Sequence, residues 1–138
     1  MRGDLLTLLD LERLDRDLFR GENEPTAAER LSLYGGQVAA QALRAAGATV
    51  PGERIPHSLH GYFLRRGKPE MPVLYHVDRD RDGGSFSARH VRAVQDGEGL
   101  GAGGIVERRE HREDDLAVLH GPHMPGRERA AVAVAIDV

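Results

Sequence analysis

Gly35-Gly36-Gln37 opens an alanine-rich run and is the point in this sequence best suited to act on a ligand. The first N–H groups of a helix lack intrahelical acceptors, and the helix dipole adds positive potential there. Such a tip polarises a carbonyl and holds the oxyanion that develops on it. Glycines let a ligand approach that backbone closely; they equally suit tight packing of helix on sheet, and spacing alone leaves both readings open. His57 follows the run and is of the side-chain type that exchanges protons near neutral pH. A structural role fits it as well.

Three further patterns carry less. Gly99, Gly101 and Gly104 have the spacing of a dinucleotide-binding turn, which needs a helix to follow. The charged run ERREHREDD follows instead, so no nicotinamide cofactor is expected. Asp78, Asp80, Asp82 and Gly83 resemble the start of a calcium loop, but Arg89 stands where the bidentate glutamate belongs. Seven histidines raise the question of a metal. His57 and His60, three apart on a strand, point to opposite faces. His120 and His123 lack the glutamate of a zinc-protease helix. The sequence therefore calls for no metal and no cofactor.

Composition bounds the rest. The 138 residues suit one compact domain, with 19 basic against 22 acidic side chains and a net charge of −3. That balance argues against nucleic acid as the main partner. Eighteen of the nineteen basic residues are arginine, Lys68 being the exception, a bias that needs no electrostatic purpose. Without cysteine there is no disulfide frame, thiol nucleophile or thiolate-bound metal. No run approaches the roughly 20 apolar residues of a membrane span, and the acidic N-terminus reads as no targeting peptide. The expectation is a cytoplasmic globular protein.

The elements that must position these residues follow from periodicity. Leu5, Leu8, Leu9, Leu11 and Leu14 predict an amphipathic helix over residues 4–19. Residues 35–49 read as a helix apolar nearly all round, broken only by Gln37, Gln41 and Arg44, and hence as a core helix. Residues 57–64, 73–78 and 85–95 read as strands, with Asp82-Gly83-Gly84 turning the last two into an antiparallel hairpin. A weak fourth strand falls near residues 100–106, and the alternating tail AAVAVAIDV could pair with a sheet edge. One buried helix followed by strands predicts an α+β fold.

Taken in order, YGGQVAAQAL (34–43), PHSLHGYFLRRG (56–67) and RDGGSFSARHVRAVQDG (81–97) resemble the N-terminal half of the acyl-CoA thioesterase II family. The resemblance covers roughly residues 4 to 98 and implies a hotdog, an antiparallel sheet wrapped around one long buried helix. It implies one such domain over residues 1–106 and a divergent or partly disordered, irregular tail over 107–138. The implied activity, in fatty acid metabolism, is hydrolysis of fatty acyl-CoA to free fatty acid and CoA, without a metal. The family's main catalytic set, an Asp, a Ser or Thr and a Gln, belongs to a second hotdog that this sequence does not contain. Matching positions in the first half make Gln37 and His57 the candidate catalytic residues. Gly35, Gly36, His60, Asp82, Ser85 and Phe86 are the candidate substrate-binding residues. The N–H groups after Gly36 are expected to face the thioester carbonyl. Two departures stand out: Arg66 replaces the family's usual proline, and GLGAGGIVERRE replaces an apolar strand. The alternative is a non-catalytic module that binds acyl-CoA or serves as an oligomer interface. Homo-oligomers would form by sheet pairing at an exposed edge.

Overall fold

The computed structural model describes residues 4–24, 29, 31–63, 65–99 and 132–137. Its elements are helix α1 (Leu5–Leu8), strands β1 (Glu12–Asp15) and β2 (Leu18–Gly21), helix α2 (Gly35–Gly47), and strands β3 (Ile55–Gly61), β4 (Val73–Asp82), β5 (Phe86–Gln95), β6 (Glu98–Gly99) and β7 (Val132–Asp137). Among the described residues the strands form one sheet in the order β1-β2-β4-β5-β7-β3, with β6 appended to β5. All the pairings are antiparallel.

The sheet curls on α2, as an α+β fold with one core helix requires. Strand β5 alternates half-buried and buried along its whole length, and β4 does so over its first half. Their inward residues Val73, Tyr75, Val77, Val91 and Ala93 meet Val38, Ala42, Ala45 and Ala46 of α2, with Phe19 of β2 beside them. Alanines on the helix let its backbone come close to the sheet. Gly21 does the same from the sheet side: a Cβ there would lie 2.7 Å from the Gln41 side chain.

Two expectations are corrected. Residues 4–19 are one helical turn followed by a β-hairpin. Asp15 accepts the Arg16 N–H, Arg13 donates to the Arg16 carbonyl, and β2 pairs with β4 while burying Phe19. The leucine spacing fits a helix, but a docked strand satisfies its backbone on β4 and buries an aromatic ring, which a surface helix would not. The tail strand also differs. β7 is inserted between β5 and β3 rather than added at an edge, so among the described residues β1 and β3 are the edges. Most of the weak strand expected over 100–106 lies outside the described residues, and β6 covers only Glu98–Gly99.

Candidate functional site

Helix α2 begins after Tyr34, whose extended backbone lets its carbonyl accept the N–H groups of Gln37 (3.0 Å) and Val38 (3.4 Å). This corrects the expectation that the Gln37 N–H faces a ligand. Gly35 and Gly36 remain, and their N–H groups have no acceptor among the described residues. The glycines are also packed. A Cβ on Gly36 would meet the Tyr34 ring at 2.5 Å, and one on Gly35 would meet the Phe63 ring at 3.1 Å. The close-packing reading of the glycines is therefore realised by the chain's own aromatic rings. Beside them lies a cleft of about 190 Å³, whose walls include Gly35, Val38, Phe63, Arg65 and Arg66, while Gly36 is not among them. Drug-sized ligand sites occupy about 300–1,000 Å³, so this cleft holds only part of a ligand.

Gln37 is buried one turn into the helix and donates from Nε2 to Asn23 Oδ1 at 2.9 Å. Asn23 in turn donates to the Pro69 and Met71 carbonyls, tying the tip to the approach of β4. Gln41 is fully buried and repeats the arrangement. Its Nε2 donates to the Leu8 and Glu22 carbonyls, both at 2.9 Å, and its Oε1 accepts the Tyr75 hydroxyl at 2.6 Å. Burial pushes the Tyr75 phenol well above its ordinary range, so it stays a neutral donor. The two glutamines that interrupt the apolar helix thus point inward, while Arg44 is exposed. Gln95 at the end of β5 bonds to Lys68 and Met71 in the same manner. Asn23, Gln41, Tyr75 and Gln95 were missed in the sequence. For Gln41, Tyr75 and Gln95 the signal is a polar group at an inward position of an otherwise apolar element; Asn23 lies outside any element.

The other candidates gather at the opposite end of β4. The His57 ring is exposed and lies 6.0 Å, centroid to centroid, from Phe86. Ser85 is exposed, and Asp82 closes β4 with its carboxylate taken up: Oδ1 accepts the Ser87 hydroxyl at 2.8 Å and an Arg89 guanidinium N–H at 2.7 Å. Burial pushes Asp82 up, but the bonds from Ser87 and Arg89 outweigh it and hold the carboxyl below its usual value. Arg54 donates to the Ser87 hydroxyl at 2.5 Å and to the carbonyls of Gly83 and Gly84. His60 stands edge-on to Tyr62 at 4.9 Å. Structure therefore brings His57, Ser85 and Phe86 to one end and Gly35, Gly36 and Gln37 to the other. Between the two ends of β4 lie nine steps of extended chain, on the order of 30 Å. Among the described residues no cluster of three metal-ligating side chains occurs.

With this geometry in view, the comparisons with known proteins are decisive. The acyl-CoA thioesterase N-terminal domain family matches residues 23–107, from Asn23 through α2 and β3–β5. The chain belongs to that family. Human acyl-coenzyme A thioesterase 8 is 54% identical over 91 residues, which are 66% of this chain and 28% of that protein. Acyl-CoA thioesterase 2 of Haemophilus influenzae is 45% identical over 93 residues, 67% of this chain and 32% of that one. Among solved structures, the tesB protein of Mycobacterium avium subs paratuberculosis superposes with a TM-score of 0.71 at 32% identity, covering 99% of this chain and 43% of its own. This chain thus spans about a third of the length of the curated relatives and has the hotdog fold of the thioesterase II structures.

Proposed function

We propose that this chain is the N-terminal hotdog unit of an acyl-CoA thioesterase, releasing free fatty acid and CoA by water attack on the thioester carbonyl. The observation that carries the proposal is the tip of α2: two glycine N–H groups without an acceptor among the described residues, with Gly35 in the wall of a cleft, in a segment that matches the family. Gly35 and Gly36 hold the carbonyl oxygen as negative charge develops on it. Gln37 acts as a positioning residue, because its amide bonds to Asn23 and fixes the first helical turn. His57, His60, Asp82, Ser85 and Phe86 serve substrate binding along the sheet. The length of β4 keeps the hairpin-end members away from the tip, and His57 becomes a base only for a ligand that spans that length. The unit works in the cytoplasm as a homo-oligomer joined through its sheets.

The test is thiol release by the purified full chain on acyl-CoAs of several lengths. Turnover above background that falls with Gly35→Ala supports the assignment. A non-catalytic acyl-CoA-binding module is the second reading. Its favouring observation is the separation of His57 from Gln37, and it predicts heat protection by acyl-CoA with no thiol released. No turnover and no protection would remove both.

A further inference from the structure

Strands β6 and β7 lie on the same edge of β5. Val94 pairs with Leu74 of β4 on one side and with Gly99 of β6 on the other, so β6 takes the edge away from β4, where β7 lies further along. Both run antiparallel to β5, and their registers fit together. Gln95 stands opposite Glu98 and Val94 opposite Gly99; two rungs on, past Ala93 and Arg92, Val91 stands opposite Val132. Carried forward unbroken, the β6 register would put residue 102 opposite Val91. Val132 holds that place, thirty residues later in the chain.

The residue types agree with one strand in two pieces. Residues opposite one another in an antiparallel pair share a face of the sheet. Val132, Val134 and Ile136 stand opposite Val91, Arg89 and Ser87, all buried, and the rung left for Leu100 is that of buried Ala93. The intervening ERREHREDD and HGPHMPGRER are charged or rich in strand breakers and suit no such row. The candidate site depends on this strand. Among the described residues β7 is the one strand partner of β3. Without it, β3 with His57 and His60 would stand about 9–10 Å from β5, too far for a backbone hydrogen bond. Gly61, the last residue of β3, pairs with Val132, and the chain then runs into Phe63, Arg65 and Arg66 of the cleft wall. We infer that β6 and β7 are the two halves of one strand, and that residues 132–137, outside the segment matching the family, are a positioning strand that holds β3 and the cleft wall for substrate. The positioning role rests on the function proposed above; the strand assignment stands apart from it.

Hydrogen exchange on the full chain reads the strand, and acyl-CoA kinetics reads the site. Deleting residues 102–131 joins Gly101 to Val132 and leaves every β7 rung in register. This variant is expected to fold, to melt no lower than wild type because a long loop is gone, and to keep β3 amide exchange within about threefold. Val134→Pro takes an N–H out of the ladder between Leu59 and Arg89. It is expected to speed β3 exchange at least about tenfold while β4 amides stay protected. It should also raise KM for acyl-CoA about fivefold or more, with kcat within about twofold. Should Val134→Pro fail to fold, the deletion decides. A deletion variant that does not fold, or wild-type β3 amides that exchange as fast as an open chain, overturns the strand assignment. So does β3 protection that withstands a folded Val134→Pro. Loosened β3 with an unchanged KM overturns the positioning role alone. A wild-type chain with neither turnover nor heat protection by acyl-CoA removes the proposed function together with that role, and exchange still decides the strand.

Discussion

Arg89 is the residue whose loss should cost this fold most for reasons visible in the structure. It is 1% exposed and its guanidinium spans the end of α2 and the β4–β5 hairpin. Nε donates to Thr49 Oγ1 at 2.8 Å, Nη2 to the Thr49 carbonyl and to Asp82 Oδ1, and Nη1 to the carbonyls of Arg81 and Ala88. Arg89→Met keeps much of the volume and removes every donor. The Thr49 carbonyl is then a buried acceptor without a partner, at about 1–3 kcal/mol. Losing a cation at a helix C-terminus adds about 0.3–2 kcal/mol. The ion pair itself adds under about 1 kcal/mol, because the Asp82 side chain is 39% exposed and water screens it. The expected loss is about 1–6 kcal/mol, a large share of the roughly 5–15 kcal/mol that a domain has. Urea unfolding followed by circular dichroism measures it. Arg89→Lys should recover less than half, since one ammonium cannot reach carbonyls on both sides of the strand. The comparison also depends on pH. Asp82 has a folded pKa below its unfolded one, so its contribution is complete above about pH 4 and fades as pH falls through the folded value. The gap between wild type and Arg89→Met should therefore narrow below pH 4. A loss under about 0.5 kcal/mol, or full rescue by lysine, would refute the account of a forked anchor.

Three other outcomes are expected. Gly21→Ala drives a methyl group to 2.7 Å from the Gln41 amide, which Leu8, Glu22 and Tyr75 hold in place, and should cost about 1–3 kcal/mol in thermal unfolding. Gly47→Ala, in the last turn of α2 with nothing within 4 Å of the new methyl, should instead stabilise by about 0.4–1 kcal/mol in the same scan. Burial and the Arg92 guanidinium lower the His76 pKa against the pull of Asp78, so the folded state resists its protonation. Stability should decline as pH falls from about 6.5 toward the lowered folded value, and His76→Gln should flatten that part of the unfolding curve.

What the sequence disclosed depended on whether one local pattern decided the matter. Helix α2 was legible because alanine and valine fill every turn between Gly35 and Gly47, and no strand tolerates that many small residues. The β4–β5 hairpin was legible because Val73, Tyr75 and Val77 alternate up to an Asp-Gly-Gly turn. The N-terminal hairpin was not, since the leucines from Leu5 to Leu14 recur at helical spacing and the deciding partner, β4, lies some 55 residues away in sequence. The position of β7 was hidden for the same reason. Alternation in Val132–Asp137 identifies a strand, but its insertion between β5 and β3 is a long-range pairing that no local signal encodes. In the site, the glycines at the tip were legible as a place of close approach. What approaches, the rings of Tyr34 and Phe63, was not.

The inward glutamines bear on how much chemistry this unit holds by itself. A helix enclosed by a sheet keeps polar side chains only if their hydrogen bonds are met inside, and Gln37 and Gln41 donate to fixed partners on neighbouring segments. Their saturation leaves the two glycine N–H groups, with Arg65 and Arg66 in the cleft wall beside Gly35, as the polar groups of the α2 tip among the described residues. One preorganised oxyanion donor is worth about 10²–10³ in rate, and general-base activation of water about 10²–10⁴ more. On the proposed reading the unit supplies the first factor only, because the hairpin-end histidine lies about a strand's length from the tip. The split between KM and kcat in His57→Gln separates the two. With the tip alone at work the variant raises KM and leaves kcat unchanged. A kcat that falls with His57→Gln would instead bring the imidazole into the reaction.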